Sequence, residues 1–126
     1  MDYTLKSGFD SARSLLSQEA RPTALFCISD MLALGAIASA REMGFRVPED
    51  VTVIGFDDVE HTTMFHPYVS TVVQPCFDIG HRAMELLYEL MHERTPPRQE
   101  IMPHSLVVRE SSAPRHHGFV DFTACV

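Results

Sequence analysis

Residues 24–56, ALFCISDMLALGAIASAREMGFRVPEDVTVIGF, decide the fold class of this chain. Two apolar runs, at residues 24–28 and 51–56, flank an alanine-rich stretch at 31–43. Neither run alternates cleanly between apolar and polar residues, so each predicts a strand covered on both faces, as in a parallel sheet. The stretch between them is long enough for a helix that crosses from one strand to the next. This order favours an α/β fold with right-handed crossovers.

The flanking sequence extends the same alternation. Residues 11–19 carry apolar side chains at helical spacing and predict a short helix before the first strand. Residues 70–73 predict a third strand, and residues 78–93 predict a helix with a clear apolar stripe. Residues 101–108 predict a last strand, broken by a proline near its start. The chain therefore predicts one α/β domain.

Two positions predict where the central helix begins and ends. Ser29 is a good N-cap, because its hydroxyl can accept a hydrogen bond from the first turn of the helix. Gly44 follows the predicted helix and suits the left-handed turn that ends many helices. The expected helix therefore spans residues 31–43.

Composition excludes several classes of protein. The 126 residues are 45% hydrophobic, which excludes a disordered chain. The formal net charge of −7 opposes binding to a phosphate backbone, so the chain is expected to be a poor nucleic-acid binder by itself. No apolar run is long enough to cross a bilayer, and no signal peptide is visible, so no membrane contact and a cytoplasmic location are expected.

Signatures of catalysis and of metal binding are missing from the sequence. The three cysteines and seven histidines do not have the spacing of a metal site, so neither a metal nor a cofactor is expected. No nucleophile elbow and no glycine-rich phosphate loop occurs. The chain is therefore not expected to be an enzyme.

Polar residues follow the three predicted strands, at the edge where open parallel sheets bind ligands. They are Ser29 and Asp30, then Asp57 and Asp58, then Gln74. Carboxylate, hydroxyl and amide groups together suit a neutral, hydroxyl-rich small molecule such as a sugar.

Each of these residues also has an interpretation without a ligand. Ser29 and Asp30 could only cap the following helix, and Gln74 could only satisfy loop backbone groups. Asp58 is interpreted as a solvated turn residue. Asp57 is the hardest to explain without a ligand, because it ends a buried strand, where a charge needs a partner.

Several segments together resemble the lactose/galactose-repressor (LacI/GalR) family of bacterial transcription regulators. They occur in order, at matching spacing, from residue 3 to about 112: SDMLALGA (29–36), GFRVPEDV (44–51), IGFDD (54–58), STVVQ (70–74), Gly80 and LVVRES (106–111).

The resemblance implies an incomplete periplasmic-binding-protein-like fold of type I. Residues 1–112 would form the second half of the effector-binding domain, as one three-layer α/β lobe with a parallel sheet plus a helix of the other lobe. That helix, at 78–93, would pack on a first lobe that the sequence does not contain. Residues 113–126 are expected to form an irregular tail. The chain is thus expected to be a fragment of a regulator.

The resemblance also implies a function and a set of site residues. A small-molecule effector, expected to be a sugar, would contact Tyr3, Ser29, Asp57 and Gln74: Tyr3 by stacking, Asp57 by its carboxylate, and Gln74 at the hinge between lobes. Serine at position 29 departs from the commoner asparagine of the family. The effector domain would form a homodimer and bind operator DNA only through a helix-turn-helix headpiece that is absent here.

An alternative with the same fold is the solute-binding protein of a sugar ABC transporter. The turn at residues 47–51, the ending at 106–111 and the lack of a visible signal peptide favour the regulator.

Overall fold

The computed structural model describes residues 2–92, 96, 98–114 and 123–125. Its helices are α1 (Leu5–Leu16), α2 (Asp30–Glu42) and α3 (Cys76–His92), with a short 3-10 turn at Glu60–Thr63. Its strands are β1 (Ala24–Cys27), β2 (Thr52–Phe56), β3 (Ser70–Val73), β4 (Ser105–Val107) and β5 (Thr123–Cys125).

The five strands form one sheet in the order β4-β3-β2-β1-β5. All neighbouring strands run parallel except β4, which lies antiparallel to β3. Leu25 lies opposite Val53, and Gly55 lies opposite Thr71. The α/β fold with a mostly parallel sheet is confirmed.

Several predicted boundaries shift in the structure. The first helix begins at Leu5 rather than at residue 11, because Thr4 caps it through its hydroxyl. The last helix begins at Cys76 rather than at residue 78, directly after a proline that suits a helix start. Its predicted end at residue 93 lies outside the described residues. The predicted strand at 101–108 is reduced to Ser105–Val107, beyond Pro103, which has no N–H to donate to a sheet.

The tail, expected to be irregular, contains one strand. Residues 123–125 form β5, which pairs in parallel with β1. Its three residues have no clear period to identify them from sequence, since a strand this short shows almost no alternation. Residues 115–122 lie outside the described part of the chain.

The two residues predicted to flank the central helix do so, although the helix, at Asp30–Glu42, lies one residue earlier than the expected span of 31–43. The Ser29 hydroxyl accepts a hydrogen bond from the N–H of Leu32 at 3.3 Å. Gly44 follows the helix with φ of +85°, in the region that glycine adopts without strain. These two residues fix where the crossover connection leaves β1 and where it turns back towards β2.

Helices α1 and α2 pack backbone against backbone. A Cβ atom added at Gly8 would lie 2.2 Å from the carbonyl oxygen of Leu32, and one added at Gly35 would lie 2.1 Å from that of Leu5. Both distances are far below van der Waals contact, so the close approach of the two helices requires glycine at both positions.

The core lies between this helix pair and one face of the sheet. Its buried side chains include Leu16, Leu25, Ile37, Val51 and Val53. On the other side, Phe26 of β1 and Ile28 just beyond it are 38% and 37% exposed. Strands of a parallel sheet are normally covered on both faces, and among the residues that the structure describes this face lacks a complete covering layer. No helix in the described ranges is long and apolar enough to cross a membrane.

Candidate functional site

The candidate site lies at one edge of the sheet. Strands β1, β2 and β3 run parallel, so their carboxyl ends meet at the same edge. The chain there passes from strand into the residues that the sequence singled out: Ser29 after β1, Asp57 after β2 and Gln74 after β3. This is the edge at which open α/β sheets bind their ligands.

Asp57 and Gln74 are brought into direct contact. The Gln74 Nε2 amide donates a hydrogen bond to Asp57 Oδ1 at 2.7 Å, and both side chains are half-buried. The Asp57 backbone N–H donates to the carbonyl of Val72 at 2.9 Å, which fixes the start of the turn to β3. An ionised carboxylate accepts at two oxygens, so Asp57 retains acceptor capacity beyond the bond from Gln74.

Asp30 is fully buried beneath this pair. Its Oδ1 accepts from the Thr71 hydroxyl at 2.6 Å, and its Oδ2 accepts from the Val59 N–H at 2.8 Å. Burial raises the pKa of Asp30, against the opposing effect of these two hydrogen bonds. A Cβ added at Gly55 would lie 2.1 Å from Asp30 Oδ1, so Gly55 makes room for the carboxylate.

This role of Asp30 differs from the one that the sequence suggested. The sequence placed Asp30 in the first turn of a helix, where an acidic side chain suits the helix dipole. In the structure it also reaches across β2 to β3 and to the turn after β2. The pairing could not be read from spacing, since Asp30 and Thr71 are 41 residues apart. The glycine at position 55 of an otherwise apolar strand was the only available signal.

Ser29 and Tyr3 occupy different surroundings from the Asp57–Gln74 pair. Ser29 is 7% exposed, and its hydroxyl is used by the helix cap. Tyr3 is 64% exposed and stands just before Thr4, the N-cap of α1. An exposed ring of this kind has an apolar face available for stacking on a sugar. The roles of both residues in ligand binding remain predictions.

The interpretation of Asp58 as a solvated turn residue is wrong. Its side chain is 26% exposed and lies 2.7 Å from the Arg109 guanidinium. Arg109, two residues beyond β4, was not identified as a site residue from sequence. The same guanidinium donates to the Thr62 hydroxyl at 3.1 Å and to the Val69 carbonyl at 2.9 Å. The pairing could not be foreseen because it depends on β4 returning beside β3.

The side chains at this edge are suited to hydrogen bonding. Its groups are carboxylates, an amide and hydroxyls, and within the described ranges no cluster of His, Cys, Asp and Glu could hold a metal ion. Such groups accept from and donate to hydroxyls of a small ligand.

Comparison with known proteins gives the class of protein to which this fold and edge correspond. A family model described as a periplasmic binding protein-like domain matches residues 2–112. The chain belongs to this family of periplasmic binding protein-like domains.

Several individual matches carry the names of bacterial transcription regulators. Catabolite control protein A of Priestia megaterium is 40% identical over 112 residues, which is 88% of this chain and 34% of that protein. Among solved structures, the lac repressor dimer bound to operator and the anti-inducer ONPF superposes with a TM-score of 0.83 at 30% identity, over 90% of this chain and 40% of that chain.

A further structure carries a bound sugar. A LacI family transcriptional regulator from Enterococcus faecium with bound ribose has a TM-score of 0.77 at 27% identity, over 90% of this chain and 42% of that chain. The resemblance to LacI-type regulators found in the sequence is thus confirmed. The chain spans about a third of the length of the curated relatives that it matches.

Proposed function

We propose that this chain is part of the effector-binding domain of a LacI-type transcription regulator and that it binds a neutral, hydroxyl-rich small molecule. The observation that carries the proposal is the Asp57–Gln74 pair at the carboxyl edge of β2 and β3. A sugar is the effector class that fits best, because paired carboxylate and amide groups bind vicinal hydroxyls by several hydrogen bonds at once.

The comparisons support a regulator over a transporter component. The relatives that cover most of this chain carry the names of transcriptional regulators, and one of the similar structures holds ribose. None of these names is that of an enzyme, which supports a binding function without catalysis.

Partners and location follow from the same proposal. The regulator would act as a homodimer in the cytoplasm, and it would contact operator DNA through a separate helix-turn-helix headpiece. The net charge of −7 supports DNA binding by a separate headpiece rather than by this domain, because an acidic domain is repelled by the DNA backbone.

The proposal is tested by the substitution Asp57→Asn. Asparagine tolerates the positive φ at this position and can still accept from Gln74, but it loses the charge and half of the acceptor capacity. A hydrogen bond to a charged group contributes about 1.5–3 kcal/mol, so affinity for ribose should fall roughly tenfold to a hundredfold. Isothermal titration of parent and variant with ribose measures the change.

The matched control is Asp10→Asn, which removes one exposed carboxylate on α1. It should leave the affinity for ribose unchanged. Equal affinity of parent and Asp57→Asn, with both folded, would show that Asp57 has no part in ligand binding.

A further inference from the structure

The turn that carries Asp57 has an unusual backbone. Asp57 and Asp58 are consecutive non-glycine residues with positive φ, at 104° and 57°. Side chains rarely adopt this region, although aspartate and asparagine tolerate it better than most. Such a conformation persists only where surrounding contacts hold it in place.

Backbone contacts hold the two ends of this turn. Before it, the Asp57 N–H donates to the Val72 carbonyl at 2.9 Å. After it, the Val59 N–H donates to Asp30 Oδ2 at 2.8 Å. Between these points Gln74 bonds the Asp57 side chain, and Asp58 pairs with Arg109 at 2.7 Å. The Thr62 hydroxyl also donates to Asp58 Oδ1, at the longer distance of 3.4 Å, so the ion pair is the shorter contact of Asp58.

Arg109 is itself fixed, so it can act as an anchor. Its side chain is only 18% exposed, and its guanidinium also donates to Thr62 and to the Val69 carbonyl. Its backbone N–H donates to the Ser70 hydroxyl at 2.8 Å. A planar guanidinium with three partners allows little movement of any of them.

We propose that Asp58 and Arg109 are positioning residues that hold the turn so that the Asp57 carboxylate points at its ligand. The inference rests on the proposed function, since it assigns Asp58 and Arg109 to the same site without direct contact with the ligand. Loss of the ion pair releases the middle of a strained turn. The Asp57 carboxylate then moves relative to Gln74.

The test has a readout that needs no ligand. The side-chain amide of Gln74 gives its own pair of signals in a ¹H–¹⁵N spectrum, and its bond to the Asp57 carboxylate shifts them. In Arg109→Met and in Asp58→Ala these signals should move towards the position of a solvent-exposed amide. In the milder variants Arg109→Lys and Asp58→Asn, which retain part of the contact, they should move less.

The matched control is Arg46→Met. Arg46 pairs with Asp50 at 2.9 Å with similar chemistry, in the loop that enters β2 from the opposite end. This variant should leave the Gln74 amide signals in place. Unchanged Gln74 signals in folded Arg109→Met or Asp58→Ala overturn the positioning role, as does equal movement in Arg46→Met. If neither of these two variants folds, unchanged signals in Arg109→Lys and Asp58→Asn overturn it.

Titration with ribose provides the second arm. Arg109→Met and Asp58→Ala should each weaken ribose binding roughly tenfold. The double variant should bind about as weakly as Arg109→Met alone, because both substitutions break the same ion pair. Unchanged ribose affinity in folded variants whose Gln74 signals have moved also overturns the inference. A parent that does not bind ribose contradicts the proposed sugar ligand, and the Gln74 signals alone then decide the positioning role.

Discussion

The Asp30 carboxylate joins three separate parts of the sheet edge. Asp30 is the first residue of α2. Its carboxylate accepts one hydrogen bond from the Thr71 hydroxyl of β3 and another from the Val59 N–H in the turn after β2. Because it is fully buried, both oxygens depend on protein donors. Asp30 therefore connects α2 to β3 and to the turn after β2, the two elements next to the candidate site.

Truncation of Asp30 should be costly. Asp30→Ala leaves the Val59 N–H and the Thr71 hydroxyl without their acceptor, and an unsatisfied buried polar group costs about 1–3 kcal/mol. Asp30→Asn should cost less, since its amide can accept from Val59 and donate to the Thr71 hydroxyl. Urea unfolding of the three proteins measures the order. Equal stability of Asp30→Ala and the parent would contradict the role of Asp30.

The pH dependence of Asp30 has a definite sign. Burial raises its pKa above 3.8 in the folded state, so the folded state holds this proton more tightly than the unfolded chain. Its contribution to stability therefore decreases as pH rises from 3.8 through the raised value. Asp30→Asn lacks this dependence. The free energy of unfolding of the variant minus that of the parent should therefore be higher at neutral pH than at acid pH.

The roles of individual residues were predictable where a residue interacts with others close to it in the sequence. The Ser29 cap and the Gly44 turn follow from local backbone chemistry and were predictable. The contact of Asp57 with Gln74 was foreseen only as a shared edge of the sheet, and the pairing of Asp58 with Arg109 was missed. Side-chain pairs between residues far apart in the sequence depend on the order of strands in the sheet, which the spacing of apolar residues does not reveal.

At the scale of elements, the order of helices and strands up to β4 was predictable, whereas β5 and most element limits were not. The apolar runs of β1, β2 and β3 indicate strands clearly, because strands of a parallel sheet are normally covered on both faces and so are apolar on both. Helix α1 was recognised only in its second half, because its first half contains Gly8, a residue with low helix propensity that here packs against the backbone of Leu32. β4 is three residues long, too short for its pattern to define its ends.

The contact between α1 and α2 makes a sharp prediction. Gly35→Ala should destabilise the protein by about 1–3 kcal/mol or more, since its Cβ would meet the Leu5 carbonyl at 2.1 Å. Gly80→Ala is the matched control on α3, where nothing lies within 4 Å and alanine favours the helix. Thermal unfolding distinguishes them. A Gly35→Ala protein as stable as the parent would mean that the helices do not approach this closely.

At the scale of the whole molecule, the apolar surface is distributed unevenly. α1, α2 and one face of the sheet share a packed core, whereas α3 has no buried residue. Its exposed side chains include Ile79 at 37%, Leu87 at 46% and Met91 at 68%. The sequence predicted the apolar stripe of this helix, and the resemblance assigned its partner surface to another lobe. Exposed apolar surface of this kind is typical of a contact with a further part of a protein.

We propose that the carboxyl edge of β2 and β3 binds a neutral sugar through Asp57 and Gln74. Titration of the ¹⁵N-labelled chain with ribose, followed by ¹H–¹⁵N NMR, tests it most directly because weak binding is also detected. We expect saturable shifts of the Asp57 backbone amide and the Gln74 side-chain amide, which Asp57→Asn reduces. Absence of shifts at both positions, or shifts confined to α3 and the loop at residues 46–50, would contradict the claim.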